Sequence, residues 1–238
     1  MFVNNLDPVA FEFLSFQIRW YSLAYIFGFL IGWFYIKNFL IKDLREKTLV
    51  DDFITYLILG VIIGGRLGYV IFYNFFYYLS HPFEIFFIWQ GGMSFHGGLL
   101  GVCLATYIFT QKYNLNFFRY TDLVSLVAPI GIFLGRVANF INSELYGRET
   151  DFIFSVNFNK VDNLFRHPSQ LYESFFEGIV LFIILNFLWK KFSEIPGVIS
   201  SLFLIFYSLF RFIIEFTREP DAHLGILKNG MISRQNIC

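Results

Sequence analysis

LVSLVAPIGIFLGRVANFIN, residues 123–142, is the stretch on which the fold turns. From Leu123 to Gly135 it holds nothing more polar than Ser125, and then Arg136, Asn139 and Asn142 follow at intervals of three. A helix that crosses the hydrocarbon core of a bilayer takes about 20 residues, and this run supplies them. A charge inside such a helix costs about 2.5–3.5 kcal/mol. Arg136 therefore needs a partner, a water-filled cavity or a task.

Outward from this stretch the same pattern recurs. Segments near the spanning length lie at roughly 18–40, 53–78, 93–111, 122–142, 170–190 and 197–217. The 238-residue chain is 56% hydrophobic and only 15% charged, against roughly 25% charged in a soluble domain. Its 35 phenylalanines are spread along the chain, which indicates several apolar helices rather than one low-complexity tract. The expected class is an all-α polytopic membrane protein with six transmembrane helices, forming a single integral membrane domain over residues 1–238. HPFEIFFIWQGG (81–92) is shorter and reads as an interfacial helix or re-entrant turn, with Trp89 near the headgroups. Residues 145–168 form a small excursion, within which ETDFIFSVNFNKVDNLF (149–165) alternates apolar and polar residues like a hairpin.

Loop charges set the orientation. Lys37, Lys42, Arg45 and Lys47 follow the first span, Lys112 and Arg119 the third, and Lys190 and Lys191 the fifth. All fall on one side, which the positive-inside rule makes cytoplasmic. The N-terminus and the 145–168 excursion then face outward. A formal net charge of zero excludes the basic surface that nucleic acid requires. The two cysteines, Cys103 and Cys238, make neither a metal-binding spacing nor a disulfide framework. The opening MFVNNLDPVAFEF lacks the basic region and cleavage site of a signal peptide.

Polar residues in apolar runs are the candidate functional groups. In GRVANFINSELYGR (135–148), Arg136, Asn139 and Asn142 share a broad helical face. The arginine fork suits a phosphate, the two amides suit ester or glycerol oxygens, and Glu144 suits an arginine or a proton. Interhelical glue is the plainer alternative. His96, in GGMSFHGGLLG (91–101), is either bonded within a tight helix entry or a general base or donor. Arg211 and Glu215 stand four apart in YSLFRFIIEFTREPD (207–221), as an intrahelical ion pair or part of a site. Arg66 in GGRLGYVIFYN (64–74) reads as a ligand group or as the counter-ion of a buried carboxylate. Tyr21 and Tyr25 in RWYSLAYIFGF (19–29) suit an aromatic belt. In HPSQLYES (167–174), Ser169 or Gln170 suits a helix cap.

Together these stretches resemble the prolipoprotein diacylglyceryl transferase family, in family order, from about residue 10 to about 228. The resemblance implies an enzyme of the bacterial cytoplasmic (inner) membrane. It would move a diacylglyceryl group from phosphatidylglycerol to the lipobox cysteine thiol of a prolipoprotein signal peptide, forming a thioether and releasing glycerol phosphate. No metal or soluble cofactor is implied. Carried over residue by residue, His96 matches an essential histidine proposed as base, and Arg136 the arginine that holds lipid phosphate. Asn139, Glu144 and Gly147 match signature residues. Arg211 matches a second essential arginine with Glu215 as partner, and Tyr21 an essential tyrosine near the headgroup.

The family normally has a seventh spanning helix after REPDAHLG. Here LKNGMISRQNIC (227–238) carries no further apolar span, so an inactive truncated remnant is the alternative expectation. A transporter would show broken helices in two related halves, and none is found.

Overall fold

The computed structural model describes residues 2–13 and 16–220. The reading of residues 227–238 as lacking a last span lies outside the described residues.

Helix dominates, as an all-α polytopic membrane protein requires. α1 (Trp20–Tyr35) continues into a π-helical turn, Ile36–Leu40. There follow α2 (Leu44–Phe72), a short α3 (Phe75–Ser80), α4 (Phe95–Tyr113), α5 (Phe117–Asn142), α6 (Ser169–Phe192) and α7 (Val198–Glu215). The segments Trp20–Leu40, Leu44–Phe72, Phe117–Asn142, Ser169–Phe192 and Val198–Glu215 are long and apolar enough to cross a membrane. α4 has 19 residues, but its glycines and polar residues leave it outside that group. The second helix starts earlier and ends earlier than the expected 53–78, because Asp43 caps it through the Arg45 amide and it stops at Phe72.

Described residues fall into two compact units, residues 2–35 with 122–220, and Ile36–Thr121. In the second unit α2 and α4 meet through glycine. A Cβ on Gly64 would lie 2.7 Å from the Gly101 Cα, and one on Gly68 would lie 2.7 Å from the Gly97 Cα. Small residues every fourth position let two backbones touch where lipid offers no hydrophobic drive. Ser94 caps α4, accepting from the Gly97 amide at 3.2 Å, while its own amide donates to the Gly65 carbonyl at 2.9 Å. Phe53, Phe109 and Tyr120 fill the far end of this unit, with ring centroids 4.9–5.4 Å apart. The 81–92 segment forms two 3-10 turns, Pro82–Phe86 and Ile88–Gln90.

The first unit packs α1 on α5 where a Cβ on Gly28 would lie 3.4 Å from the Gly131 Cα. α7 begins without a side-chain cap of its own. Asp122 of α5, 1% exposed, supplies one: its carboxylate accepts from the Gly197 and Ser200 amides at 2.7 Å each and from the Ser200 hydroxyl at 2.8 Å. α6 is π-helical over Ser174–Val180, where Gly178 sits so close to Phe133 that a Cβ would lie 2.7 Å from the Phe133 Cβ.

The excursion carries a small sheet in the order β1 (Phe2–Val3), β4 (Val156–Asn157), β5 (Phe165–Arg166). The hairpin expected within 149–165 is present as the antiparallel β4–β5 pair, with Val156 opposite Arg166. β1 joins it in parallel, which the sequence did not suggest. A second hairpin, β2 (Val9–Phe13) with β3 (Phe16–Arg19), precedes α1.

Candidate active site

The site of the first unit is built at the end of α5. Ser143 and Leu145 both adopt left-handed backbone, with φ of 60° and 55°. This turns the chain sharply out of the helix, while the Glu144 amide still donates to the Asn139 carbonyl at 3.0 Å. Asn4 donates from its side chain to the Phe140 carbonyl at 2.6 Å, satisfying one helix-terminal acceptor. The start of α6 then grips the turn: Gln170 Nε2 donates to the Glu144 carbonyl at 2.6 Å and Ser169 Oγ to the Leu145 carbonyl at 2.9 Å. The Gly147 amide donates to the His167 carbonyl and the Arg148 amide to the Thr217 carbonyl, both at 2.9 Å. Gly147 is glycine for want of room, since a Cβ would lie 2.6 Å from the Thr217 carbonyl oxygen. Three chain segments are thereby laced into one support.

Within that support two polar groups form. Asn139 and Asn142 both donate from Nδ2 to the Glu144 carboxylate, at 3.2 and 3.4 Å. Of the face expected to carry Arg136, Asn139 and Asn142, only the two amides meet at Glu144. Arg136 looks elsewhere. It reaches Glu173 Oε2 at 3.2 Å and Glu177 Oε2 at 3.7 Å, both on α6. Arg211 NH1 lies 2.5 Å from Glu173 Oε1, its NH2 lies 2.6 Å from Glu215 Oε2, and Arg218 NH1 lies 3.3 Å from Glu173 Oε1. Three arginines and three glutamates therefore interlock around Glu173, which has no exposed surface. The intrahelical Arg211–Glu215 pair is present, and is one edge of this larger cluster.

Glu173 and Glu177 were missed by sequence reasoning. Their signal was available: three arginines in or beside apolar helices require counter-charges, and LYESFFEGIVLFIIL (171–185) holds two acids in an apolar run. The π-helical turn could not be anticipated. Such turns occur often at functional sites, and this one carries Glu177.

The arginines differ in how far they are engaged. Arg211 donates through both terminal nitrogens at short range, and its side chain is 10% exposed. Arg136 holds its partners at longer range, and its side chain is 17% exposed. Glu177 has no exposed surface and neither of its carboxylate oxygens accepts a hydrogen bond. Tyr207 on α7 is a further partner of Arg136, and a guanidinium with long ion pairs and some exposed surface has the chemistry to pair with an anionic oxygen.

Outside the helices, Arg166 joins the sheet to the site. It pairs with Asp162 at 2.7 Å and with Glu219 at 3.3 Å, and stands over the Tyr146 ring. The hydrogen bond from Arg166 holds the Asp162 carboxyl below its ordinary range. Partial burial lowers His167, which favours a neutral ring beside the Tyr172 hydroxyl, 3.3 Å away.

Tyr21 lies at the start of α1 with its ring edge-on to Tyr25, centroids 5.3 Å apart, and both are exposed. His96 and Arg66 belong to the second unit. His96 is exposed in the first turn of α4, edge-on to Phe95. Arg66 is 4% exposed, and its donors reach the Ile85, Gly91, Gly92, Glu84 and Phe87 carbonyls at 2.6–3.3 Å. It folds the 84–92 segment, and its counter-groups are backbone carbonyls rather than the carboxylate anticipated. With every donor engaged, Arg66 shapes a loop and has none left over for a lipid.

A family model described as prolipoprotein diacylglyceryl transferase matches residues 8–237. The chain belongs to the prolipoprotein diacylglyceryl transferase family. Among its relatives, the phosphatidylglycerol–prolipoprotein diacylglyceryl transferase of Rickettsia typhi is 48% identical over 239 residues, covering 99% of this chain and 92% of that protein. Those of Rickettsia canadensis and Rickettsia bellii are each 49% identical, over 240 and 236 residues, covering 92% and 89% of their lengths. The match takes in the whole Arg136 support, from Asn139 and Glu144 to Arg211, Glu215 and Arg218. This family of transferases therefore includes a multi-pass membrane chain in which three arginines converge on one buried glutamate, Glu173.

Proposed function

We propose that this chain transfers the diacylglyceryl group of phosphatidylglycerol to the lipobox cysteine thiol in the signal peptide of a prolipoprotein, forming a thioether and releasing glycerol phosphate. The observation that supports it most is the geometry of Arg136, whose ion pairs are long and whose side chain keeps 17% of its surface exposed, one helical turn from Asn139 on α5. In the reaction the cysteine sulfur forms a bond to the glycerol carbon. The carbon–oxygen bond to phosphate breaks, its electron pair leaves with the phosphate, and the thiol gives up its proton. Charge therefore accumulates on the phosphate, and a fixed cation beside it in a low-dielectric setting lowers the barrier.

In this reading Arg136 holds the phosphate, and Asn139 and Asn142 bind the ester or glycerol oxygens with Glu144 fixing their amides. Gly147 keeps the supporting turn closed. Arg211, engaged by Glu173 and Glu215, contributes its field and holds Glu173 in place. His96 serves as base for the incoming thiol, whose ordinary pKa of about 8.5 leaves it mostly protonated. Tyr21 lies beside the headgroup, and Arg66 acts through the loop it folds. The membrane is the bacterial inner membrane, with α4 as a further span and the N-terminus outward, as the basic residues at and around the C-terminal ends of α1, α4 and α6 support.

The test is to purify the chain with phosphatidylglycerol and a lipobox peptide and look for the thioether by mass spectrometry. Wild-type protein forms it and Arg136→Ala does not. Product from a correctly folded Arg136→Ala protein defeats the assignment.

A further inference from the structure

Among the described residues of the buried cluster, Glu177 is the carboxylate that accepts no hydrogen bond on either oxygen. It faces Arg136 from α5, Glu173 from its own helix, Tyr207 and Arg211 from α7, and Arg218 beyond α7. Glu215 completes the cluster through Arg211. Glu173 accepts hydrogen bonds from Arg211 at 2.5 Å and Arg218 at 3.3 Å, and Glu215 accepts one from Arg211 at 2.6 Å. Glu177 accepts none, and its one ion-pair contact is to Arg136 at 3.7 Å. The ion-paired groups balance, with Arg136, Arg211 and Arg218 against Glu173, Glu177 and Glu215. A phosphodiester that takes Arg136 brings one more negative charge into this balanced set. It also draws away the guanidinium that Glu177 relies on. An ionised carboxylate left buried without a partner is costly, and such a group becomes neutral instead.

We infer that Glu177 takes up a proton when an anionic phosphodiester headgroup binds Arg136, so that lipid capture is coupled to protonation of the site. The proton comes from solvent and adds to one Glu177 oxygen, and no covalent bond to the lipid is made or broken. The cluster returns to neutrality with the phosphate in place. The inference rests on the reading of Arg136 as phosphate ligand. The π-helical turn is what permits it, because Ser174–Val180 carries Glu177 into the cluster without giving it a hydrogen-bond donor.

Purified full-length chain in zwitterionic micelles is titrated with dioleoyl phosphatidylglycerol, with no thiol substrate, between about pH 5.5 and 8.5. Calorimetry in two buffers of different ionisation enthalpy counts the protons. Toward the alkaline end of this range, where the lipid-free Glu177 is ionised, wild type takes up close to one proton per lipid and its affinity weakens as pH rises, by up to about tenfold per pH unit, while uptake falls away toward the acid end, where the carboxyl already carries its proton. Glu177→Gln and Glu177→Met bind with no uptake and with affinity flat across the range. Thermal unfolding of each variant identifies the one that retains the fold. The inference is overturned if wild type takes up no proton, or if a folded neutral variant keeps the wild-type uptake. Failure of the transferase reading looks different: proton-linked lipid binding persists while no thioether forms in the peptide assay. Thioether formation with proton-independent binding overturns this inference alone.

Discussion

Replacing Glu173 with Gln removes the charge on which Arg136, Arg211 and Arg218 converge. The side chain has no exposed surface, so water cannot substitute for it. Removing one partner of a buried ion pair costs about 3–5 kcal/mol, because the opposite charge is stranded. The structure places this case near the lower end. Arg211 keeps Glu215 at 2.6 Å, Arg136 keeps Glu177 at 3.7 Å, and Arg218 has further contacts. About 3 kcal/mol is the expected loss. Glu215→Gln is the internal comparison. Arg211 then retains Glu173 at 2.5 Å, and Glu215 is 14% exposed at its side chain, so the cost falls to about 1 kcal/mol. Reversible unfolding in mixed micelles, followed by tryptophan fluorescence, measures both. The reasoning fails if Glu173→Gln unfolds within about 0.5 kcal/mol of wild type, or if Glu215→Gln is the more damaging change.

Other expectations follow from the same geometry. Gly64→Ala pushes α2 from α4, since its Cβ would lie 2.7 Å from the Gly101 Cα; a loss of about 1–3 kcal/mol is expected in the same unfolding assay. Arg66→Lys keeps the charge but loses the planar fork that reaches five carbonyls, so amides of residues 84–92 should exchange faster with deuterium. Asp162 is held below its ordinary range by Arg166, so its contribution is complete above about pH 4 and is lost as pH falls through the lowered folded value. Hydrogen exchange in β4 and β5 should rise on that descent, and Asp162→Asn should remove the dependence.

The apolar runs made the long helices legible, because bilayer thickness dictates length and the price of a buried charge flags Arg136 and Arg211. Other features escaped for physical reasons. The β2–β3 hairpin alternates apolar and polar in FEF and FQIR, but that short period merges into a long apolar window. Asn139, Asn142 and Glu144 were readable as neighbours in sequence. The Glu173 hub was not, because it joins residues 37 to 45 positions apart and its pairing is set by packing. Arg66 was conspicuous as a charge in a helix, yet its partners are carbonyls, which no residue type announces. The left-handed Ser143 and Leu145 were hidden likewise, neither being the glycine or asparagine that usually marks such a turn.

Asp122 leaves a timetable in the molecule. The amides at the start of α7 are satisfied by a carboxylate 75 and 78 positions earlier in the chain. A ribosome delivers that carboxylate first, so the cap is already waiting when Gly197 emerges. Before α7 arrives, Asp122 lacks these donors, and before Asp122 is in place the first turn of α7 has amides with no acceptor. The last of the described helices thus finds its N-terminal cap on α5, and its docking satisfies the carboxylate and the amides at once.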